Sequence, residues 1–247
     1  MSRYSKFMLI ALAFIAVSGL AYFIHYLIFR DVHHIFIYMV GDLAFLPLEV
    51  FLVVIVIERI LARREKQALL HKLNMVVGAF FSEVGTELLQ KLIGSFKKNR
   101  EICQHLTISQ NWTRDDFKKA AAFASTLEEM PGYPDIDLEK LKKFLINKRP
   151  FLLALLENPN LLEHESFTDL LWATLHLAEE LEARPSVSGL PDTDLEHIAI
   201  DIKRMYGRLI SEWVSYVEHL KSSYPFLFSL VVRTHPFQDH PSPVVVK

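Results

Sequence analysis

Residues 7–29 read FMLIALAFIAVSGLAYFIHYLIF and contain no Asp, Glu, Lys or Arg. A helix rises about 1.5 Å per residue, so this stretch is long enough to cross the roughly 30 Å hydrocarbon layer of a bilayer. It is longer than the apolar core of a secretory signal, and no small-residue cleavage site separates it from the next apolar run. The sequence therefore predicts a retained transmembrane helix.

A second apolar run, IFIYMVGDLAFLPLEVFLVVIVI at residues 35–57, has the same length but contains two carboxylic acids, Asp42 and Glu49. Only the five residues RDVHH separate the two runs. Two spans joined by so short a loop are most simply a transmembrane helical hairpin, which we predict over residues 1–58. The lipid bilayer is thus the first predicted partner.

The distribution of Lys and Arg predicts the orientation of this hairpin. Arg3 and Lys6 precede the first span, and the connecting loop carries only Arg30. A larger basic group follows the second span: Arg59, Arg63, Arg64, Lys66 and Lys72. Because Lys and Arg accumulate in cytoplasmic segments, both termini are predicted to be cytoplasmic, in a multi-pass protein of the inner (cytoplasmic) cell membrane. The single cysteine, Cys103, then lies in a reducing compartment and forms no internal disulfide.

The two acids of the second run are the first candidate functional residues. Asp42 and Glu49 lie seven residues apart, which places both on nearly the same side of a helix. An ionised acid facing lipid costs several kcal/mol, so acids within spans face other helices or a wet cavity. Matching depths across the hairpin puts His25 beside Asp42 and Ser18 near Glu49. We therefore predict a contact between His25 and Asp42.

Three interpretations of these acids remain open: packing contacts within an oligomer, an acid-lined path for ions or protons, and a sensing role. A two-helix hairpin cannot surround an aqueous path, so a path requires several copies, and the packing contacts require them too. Pro47 leaves a backbone carbonyl without its usual donor, and the small residues Gly41 and Ala44 permit close helix approach. The sequence therefore predicts a homo-oligomer.

Helical periodicity continues beyond the second span. Apolar residues recur every three or four positions: Leu69, Leu73, Val76, Phe80, Val84, Leu88 and Leu92. Residues 59–97 are accordingly predicted to form a basic, membrane-proximal helical stalk. Residues 98–233 are predicted to form a cytoplasmic α-helical domain, and residues 234–247 a flexible tail.

Start signals place further helices within this part of the chain. Thr113, Ser166 and Thr193 are each followed by an acid three positions later, which is the pattern of an N-cap or capping box. The last long helix is predicted over residues 193–222 from its apolar stripe. Since no strand pattern of convincing length occurs between these segments, the predicted fold is all-α: a transmembrane hairpin, a helical stalk and a cytoplasmic helical bundle.

Several kinds of chemistry lack support in the sequence. Beyond Lys72 the chain holds 19 Lys and Arg against 24 Asp and Glu. This part of the chain therefore lacks the excess of positive charge that is typical of nucleic-acid binding. His33 and His34 have no third metal ligand, and no phosphate-cradling glycine loop, nucleophile elbow or paired CxxC motif is present. The acids and histidines between residues 163 and 180 lack the paired Glu-x-x-His spacing of a di-iron bundle. They are Glu163, His164, Glu165, His176, Glu179 and Glu180.

These absences favour a protein that is not an enzyme and that needs no metal or cofactor. The acids and histidines of residues 163–180 are instead interpreted as a solvated helix face with a capped turn. A weaker alternative is a membrane-bound enzyme that uses the same side chains.

Three motifs together resemble a known family. They are LNMVVGAFFSEVGTELL at 73–89, FLLALLENPNLLEHESFTDLLWATLHLAEELEAR at 151–184 and HLKSSYPFLFSLVVRTHPF at 219–237. The resemblance is to bacterial and archaeal two-span membrane proteins to which no function is assigned, and it covers most of the chain from Gly41 onward. It implies one cytoplasmic α-helical unit behind a membrane hairpin, and it carries over no catalytic residue. Within the first motif, Glu83 either pairs with a basic residue such as Arg233 or is solvated together with Glu87.

The leading functional hypothesis is an oligomeric, non-enzymatic sensor or scaffold that displays its helical domain to an unidentified cytoplasmic partner. The main alternative is an oligomeric ion or proton channel in which Asp42 and Glu49 face the pathway.

Overall fold

The computed structural model describes the backbone of residues 3–159, 161 and 164–245, with the side chains of 3–7 and 66–72 excepted. The chain forms two compact units, Met1–Lys66 and Gln67–Lys247. All regular structure in the described residues is helical, with no strand among them, so the all-α prediction is confirmed.

The first unit contains α1 (Arg3–Phe29) and the beginning of α2 (Val32–Phe80). Only Arg30 and Asp31 lie between them. Arg30 adopts a left-handed conformation (φ 49°), and its amide donates to the carbonyl of Tyr26, which closes the last turn of α1. The Asp31 carboxylate accepts hydrogen bonds from the amides of His33 and His34, so it caps α2. The loop is therefore shorter than the predicted RDVHH, and α2 begins three residues earlier than Ile35.

Residues Met8–Phe29 and Val32–Glu65 are long and apolar enough, by length and composition, to cross a membrane. Their large hydrophobic side chains are exposed in the chain by itself, for example Phe14 at 73% and Leu43 at 68%. The described part of the first unit thus buries almost none of its apolar surface.

The second unit is a bundle with a core of its own. After α2 come a π-helical turn (Phe81–Gly85) and α3 (Thr86–Leu92). The remaining helices are α4 (Asn99–Leu106), α5 (Arg114–Ser125), α6 (Leu138–Leu156), α7 (Glu165–Ala183), α8 (Asp192–Ser223) and α9 (Pro225–Thr234). Helix α8 lies at the centre of the bundle, in contact with α3, α5, α7 and α9. Short 3₁₀ turns lie at Ile93–Ser95 and Tyr133–Asp135.

One of the three predicted helix starts is confirmed. Thr113 and Asp116 form a reciprocal capping box at the start of α5. Helix α7 instead begins before Ser166, because the imidazole of His164 accepts a hydrogen bond from the amide of Phe167 and so acts as the cap.

The start of α8 also differs from the prediction. Its N-cap is Pro191, which provides no side-chain hydrogen bond. Asp192 and Asp194 occupy the first turn, where negative charge interacts favourably with the helix dipole. The predicted N-cap at Thr193 is therefore two residues too late. Pro191 fixes the boundary, because proline has no backbone N–H and its ring clashes with a preceding helical turn, so the helix does not extend to its N-terminal side.

The π-helical turn places two aromatic rings in the core. The ring of Phe80 meets that of Phe167 edge to face at 5.3 Å, and the ring of Phe81 stacks on Tyr216 at 5.0 Å. A Cβ at Gly85 would lie 2.5 Å from Phe81 Cδ1 and 2.9 Å from Phe80 Cε1. Only glycine leaves room for both rings at this position.

The boundary between the two units falls inside the segment predicted as a stalk. Leu73, Val84 and Leu92 are all buried in the core of the second unit, so much of residues 59–97 belongs to the bundle. The predicted flexible tail also differs from the structure, because His235 and Phe237 are buried. Apolar packing of these rings against the bundle fixes the chain as far as Phe237.

Candidate functional site

The predicted intramembrane polar residues lie in the first unit. Ser18, Asp42 and Glu49 are exposed, and His25 is half-buried. Among the residues that the structure describes, no hydrogen bond or ion pair reaches the carboxylate of Asp42 or Glu49. Both acids therefore remain without a partner inside the described part of their own chain.

The predicted contact between His25 and Asp42 is wrong. His25 Nε2 lies 3.3 Å from His34 Nδ1, and the two rings stack at 5.5 Å. The physical reason is the short loop: His25 is four residues from the end of α1, whereas Asp42 is ten residues into α2. At about 1.5 Å per residue these positions differ in depth by roughly 9 Å, while His34 is nearly level with His25.

The predicted membrane-surface basic residues follow the apolar run of residues 35–57. Arg59, Arg63 and Arg64 are exposed on α2. The side chains of Lys66 and Lys72 lie outside the described ones.

A second candidate site lies in the second unit, where α7 packs against α8. Asp201 of α8 is only 2% exposed. Its Oδ1 accepts a hydrogen bond from Arg204 at 2.8 Å, and its buried Oδ2 has no hydrogen-bond donor among the described residues. Close to Oδ2 lie His176 Nε2 at 3.4 Å and His197 Nε2 at 3.6 Å. One buried carboxylate oxygen thus faces two imidazoles from two helices.

Glu180 lies on the other side of the same two imidazoles. Its Oε1 is 3.9 Å from His176 Nε2, and its Oε2 is 3.6 Å from His197 Nε2. The two histidines and two carboxylates therefore alternate around a small ring. We call these four side chains, His176, Glu180, His197 and Asp201, the α7–α8 cluster.

Arg184 binds the carboxylates of Glu180 and Asp194 at one end of this cluster. Its guanidinium forms a bidentate pair with Asp194, through Nη2 to Oδ1 at 2.7 Å and Nε to Oδ2 at 2.9 Å, and Nη1 also bonds Glu180 Oε2 at 2.8 Å. A planar guanidinium matches a carboxylate in this way, and such charge-assisted pairs are the stronger hydrogen bonds. One arginine at the end of α7 therefore ties both helices to the cluster.

The charged groups of Arg184, Glu180 and Asp194 shift one another's pKa values towards the charged forms. The Arg184 guanidinium lowers the pKa of the Glu180 carboxyl below its ordinary value, with smaller contributions from His197 and His176. The same arginine lowers the pKa of Asp194. Hydrogen bonding to Asp194 in turn raises the pKa of Arg184. These carboxyl groups are consequently ionised at neutral pH.

Beside the cluster lies a groove of about 510 Å³ between α5, α7 and α8. Its charged lining residues are paired: Lys203 with Glu128, and Arg208 with Asp169. Arg204, which bonds Asp201, also lines the groove and so connects it to the cluster. The groove offers hydrogen-bonding groups of both signs and no net excess of charge.

The other acids and histidines considered in the sequence lie away from the cluster. His164 lies 4.0 Å from the buried Glu212, and Glu179 pairs with Arg149 at 3.4 Å. Glu165 belongs to the first turn of α7, and Glu163 lies outside the described residues. Of these side chains, His176 and Glu180 belong to the α7–α8 cluster, whereas His164, Glu165 and Glu179 lie elsewhere.

The sequence did contain a signal for the missing members. HLAEE at 176–180 and HIAID at 197–201 each place a histidine four residues before a carboxylate. Residues four apart share one helix face. Two such pairs on neighbouring helices are typical of a shared site. The Glu-x-x-His pattern does not include them, because here the histidine precedes the carboxylate and the spacing is four residues. As positioned, however, no group of three or more His, Cys, Asp or Glu among the described side chains is set to hold a metal ion.

Glu83 pairs with a lysine of another helix rather than with Arg233. Its Oε2 lies 2.9 Å from Nζ of Lys148, which is on α6. Glu87 pairs with Lys91 within α3 at 3.2 Å. Both acids are thus surface members of ion pairs.

Both units of the chain match family models that are described by the same protein. Residues 2–61 match the family described as "MJ1433, N-terminal helical domain", and residues 69–233 match "Uncharacterized protein MJ1433, C-terminal helical domain". The chain is 46% identical over 232 residues to "Uncharacterized protein MJ1433" of Methanocaldococcus jannaschii, an alignment that covers 94% of this chain and 93% of that protein. No solved structure matches the chain.

Proposed function

This chain belongs to the MJ1433 family, and we propose that it is a two-span integral membrane protein that forms a homo-oligomer and carries a non-enzymatic sensing or scaffolding unit. The observation that supports this most directly is the pair of acids, Asp42 and Glu49, exposed on an apolar helix without a partner among the described residues of the chain.

The exposed apolar side chains of the first unit support a membrane location. Fully burying a Leu, Ile, Val or Phe side chain is worth about 1.5–3 kcal/mol relative to leaving it in water. The segments Met8–Phe29 and Val32–Glu65 expose many such side chains. Tens of kcal/mol therefore favour transfer of this unit into lipid.

The basic residues support an orientation with both termini in the cytoplasm of an inner membrane. Arg59, Arg63 and Arg64 are exposed on α2 beyond the apolar run of residues 35–57, whereas Arg30 is the only basic residue in the loop. Cytoplasmic segments carry the excess of Lys and Arg. The loop is accordingly assigned to the outer side.

The two acids support self-association. In a bilayer, Asp42 and Glu49 would meet acyl chains unless another helix covers them, at a cost of several kcal/mol for a charged group. Gly41 has no heavy atom within 4 Å of an added Cβ, so a second helix can approach closely beside Asp42. A further copy of the chain supplies such a helix.

Self-association is tested by measuring the mass of the full-length protein in lipid nanodiscs or by native mass spectrometry in detergent. The wild type is expected to contain two or more copies. Interhelical hydrogen bonds in membranes are each worth about 0.6–2 kcal/mol, so Asp42→Leu with Glu49→Leu should weaken association by at least roughly tenfold.

Glu58→Leu is the matched control, because it removes an exposed acid of α2 that lies just beyond the apolar run of residues 35–57 and should leave association unchanged. A wild type that stays monomeric, or a double variant that associates as strongly as the wild type, would refute the oligomer.

A sensing or scaffolding role for the second unit is supported by the surface around the α7–α8 cluster. Trp172 is 60% exposed and Ile200 is 42% exposed. Helical spacing places Trp172 one turn before His176, and Ile200 three residues after His197. We propose that a ligand or a cytoplasmic protein partner contacts these two exposed side chains.

A channel remains the second candidate function, because Asp42 and Glu49 lie on nearly the same side of α2 and both are exposed. In a ring of copies this side could line a pathway. Proton or cation flux into liposomes that falls in Asp42→Asn with Glu49→Gln would favour the channel. An intact oligomer without flux would favour the sensor or scaffold.

A further inference from the structure

We propose that α9 is an interfacial helix and that its outer face, formed by Phe226, Leu227 and Leu230, lies in the lipid headgroup region of the membrane. This inference rests on the proposed membrane location of the first unit and adds a membrane contact made by the second unit. It depends neither on the number of copies nor on a partner of the α7–α8 cluster.

The outer face of α9 is apolar where a surface helix is usually polar. Phe226 is 72% exposed, Leu230 43% and Leu227 38%. Residues 226 and 227 lie four and three positions before 230, so all three share one side of the helix. The opposite side is apolar as well, because Phe228 and Val232 are buried in the core. A helix that is apolar all round is typically buried, so the outer face needs a cover that the described residues of the chain do not provide.

Helix α9 lies at the end of the bundle where α2 enters it. The ring of Tyr216 lies 3.5 Å from the Cβ position of Gly78, and Nδ1 of His219 lies 3.2 Å from the side-chain amide of Asn74. These two contacts show that α8 runs antiparallel to α2. Helix α8 ends four residues beyond His219, and α9 follows after the single residue Tyr224.

This end of the bundle is close in sequence to the candidate membrane span. Val32–Glu65 is long and apolar enough to cross a membrane, and Asn74 lies nine residues beyond its end. A membrane that holds this segment is therefore separated from the contact between Asn74 and His219 by a short length of chain only. The bilayer is thus available to cover α9 without any further partner.

The last turns of α8 also carry side chains that are typical of a membrane interface. Nζ of Lys221 donates to the carbonyls of Gln110 and Trp112, which brings Trp112 to this end of the bundle. A groove of about 910 Å³ beside it is lined by Trp112, Arg114 and Lys221, with Glu218 as an acid. Trp is enriched at the level of the headgroups, and basic side chains attract anionic lipids.

Lipid fits the outer face of α9 better than a second protein surface does. The helix has ten residues and is about 15 Å long, too short to cross the hydrocarbon layer but suited to lying along the interface. A specific protein interface takes roughly 20–30 residues on each side, far more than three exposed apolar side chains. Insertion into lipid requires no complementary surface of that size.

The test places a fluorescent label on the outer face of α9 in the full-length protein. Phe226→Cys and Leu230→Cys are made separately in a Cys103→Ser background, labelled with an environment-sensitive fluorophore and reconstituted into vesicles of phosphatidylcholine and phosphatidylglycerol. Some of the lipids carry a nitroxide high on the acyl chain. Interfacial helices bury their apolar side roughly 5–10 Å into the boundary between headgroups and acyl chains, so the nitroxide should quench both labels at least about twofold.

Ile200→Cys is the matched control, because Ile200 is 42% exposed and Leu230 is 43% exposed. Ile200 lies 23 residues before the end of α8 at Ser223, which is about 35 Å along that helix. A label at residue 200 should therefore keep its fluorescence in the presence of the nitroxide. Circular dichroism checks that each labelled protein is folded, and Leu227→Cys replaces an α9 variant that is not.

Three results would overturn the proposal: labels on α9 that the nitroxide does not quench, equal quenching at residues 200 and 230, and cross-linking of Leu230→Cys between chains without quenching. The third result would assign the outer face to a contact between copies. An unquenched chain that resists extraction by alkaline carbonate would refute the role of α9 alone, whereas release by carbonate would refute the membrane location as well.

Discussion

Replacing Gly85 with alanine is expected to destabilise the second unit by about 1–3 kcal/mol, because overpacking a filled core costs that much. The new Cβ would lie 2.5 Å from Phe81 Cδ1 and 2.9 Å from Phe80 Cε1. Neither ring can move away freely, since Phe80 packs against Phe167 and Phe81 stacks on Tyr216. The added methyl group must therefore distort the π-helical turn or the core.

Gly207→Ala provides the matched control. Gly207 lies inside α8, and a Cβ there meets no heavy atom within 4 Å. Alanine is favoured over glycine in a helix interior by up to about 1 kcal/mol, so this variant should be neutral or more stable than the wild type.

Thermal unfolding of the full-length chain in detergent, followed by circular dichroism, distinguishes the two glycine variants. For a unit of this size, Gly85→Ala should lower the midpoint by roughly 3–10 °C and Gly207→Ala should not lower it. Equal midpoints for Gly85→Ala and the wild type would show that the turn tolerates a side chain and that the tight packing is not essential.

The stability of the second unit should fall by up to about 3 kcal/mol between pH 7 and pH 4 because of His235 alone. Burial lowers the pKa of this imidazole from 6.5 to about 4. The ring packs beside Trp213 and Phe237 and is only 2% exposed. Neither ring nitrogen has a well-formed hydrogen bond among the described residues, although the Ile108 backbone lies close enough to favour the protonated form slightly.

The direction of this effect is set by proton binding. Above pH 6.5 the imidazole is neutral in both folded and unfolded chains, so it makes no difference to stability. As the pH falls from 6.5 towards 4, this imidazole is protonated in the unfolded chain but stays neutral in the folded chain. The free energy of unfolding therefore decreases. Below about pH 4 both forms are protonated and the loss is complete.

His235→Phe keeps an aromatic ring beside Trp213 but cannot be protonated, so its stability should depend less on pH than that of the wild type. His240→Phe, at an exposed position in the same segment, should retain the wild-type dependence. Urea unfolding at several pH values measures the difference in slope. Parallel curves for His235→Phe and the wild type would show that the buried imidazole does not control this dependence.

Much of the architecture could be predicted from the sequence because apolar periodicity and charge-free length are strong signals. The two apolar segments and the capping box at Thr113 and Asp116 were predicted correctly. The start of α2 was not, because the N-cap role of Asp31 was missed and the pair His33 and His34 was assigned to a loop. That error of three residues led directly to the wrong partner for His25.

The α7–α8 cluster could be predicted only in part. His176 and Glu180 lie within one helix, so their spacing was visible in the sequence. Their association with His197 and Asp201 depends on how two helices pack, and on Arg184 joining the end of α7 to Asp194. Such contacts between helices are not encoded in the spacing of either helix alone. Burial of His235 and Phe237 escaped prediction because a proline-rich terminal segment carries no periodic signal.

Whether the first unit crosses a membrane is tested most directly by labelling single cysteines in intact cells. In a Cys103→Ser background, Val32→Cys marks the loop end of α2 and His240→Cys marks an exposed position in the second unit. A membrane-impermeant maleimide is expected to label Val32→Cys in intact cells and His240→Cys only after permeabilisation. Labelling of both thiols only after permeabilisation, together with release of the chain by alkaline carbonate, would contradict a two-span membrane protein.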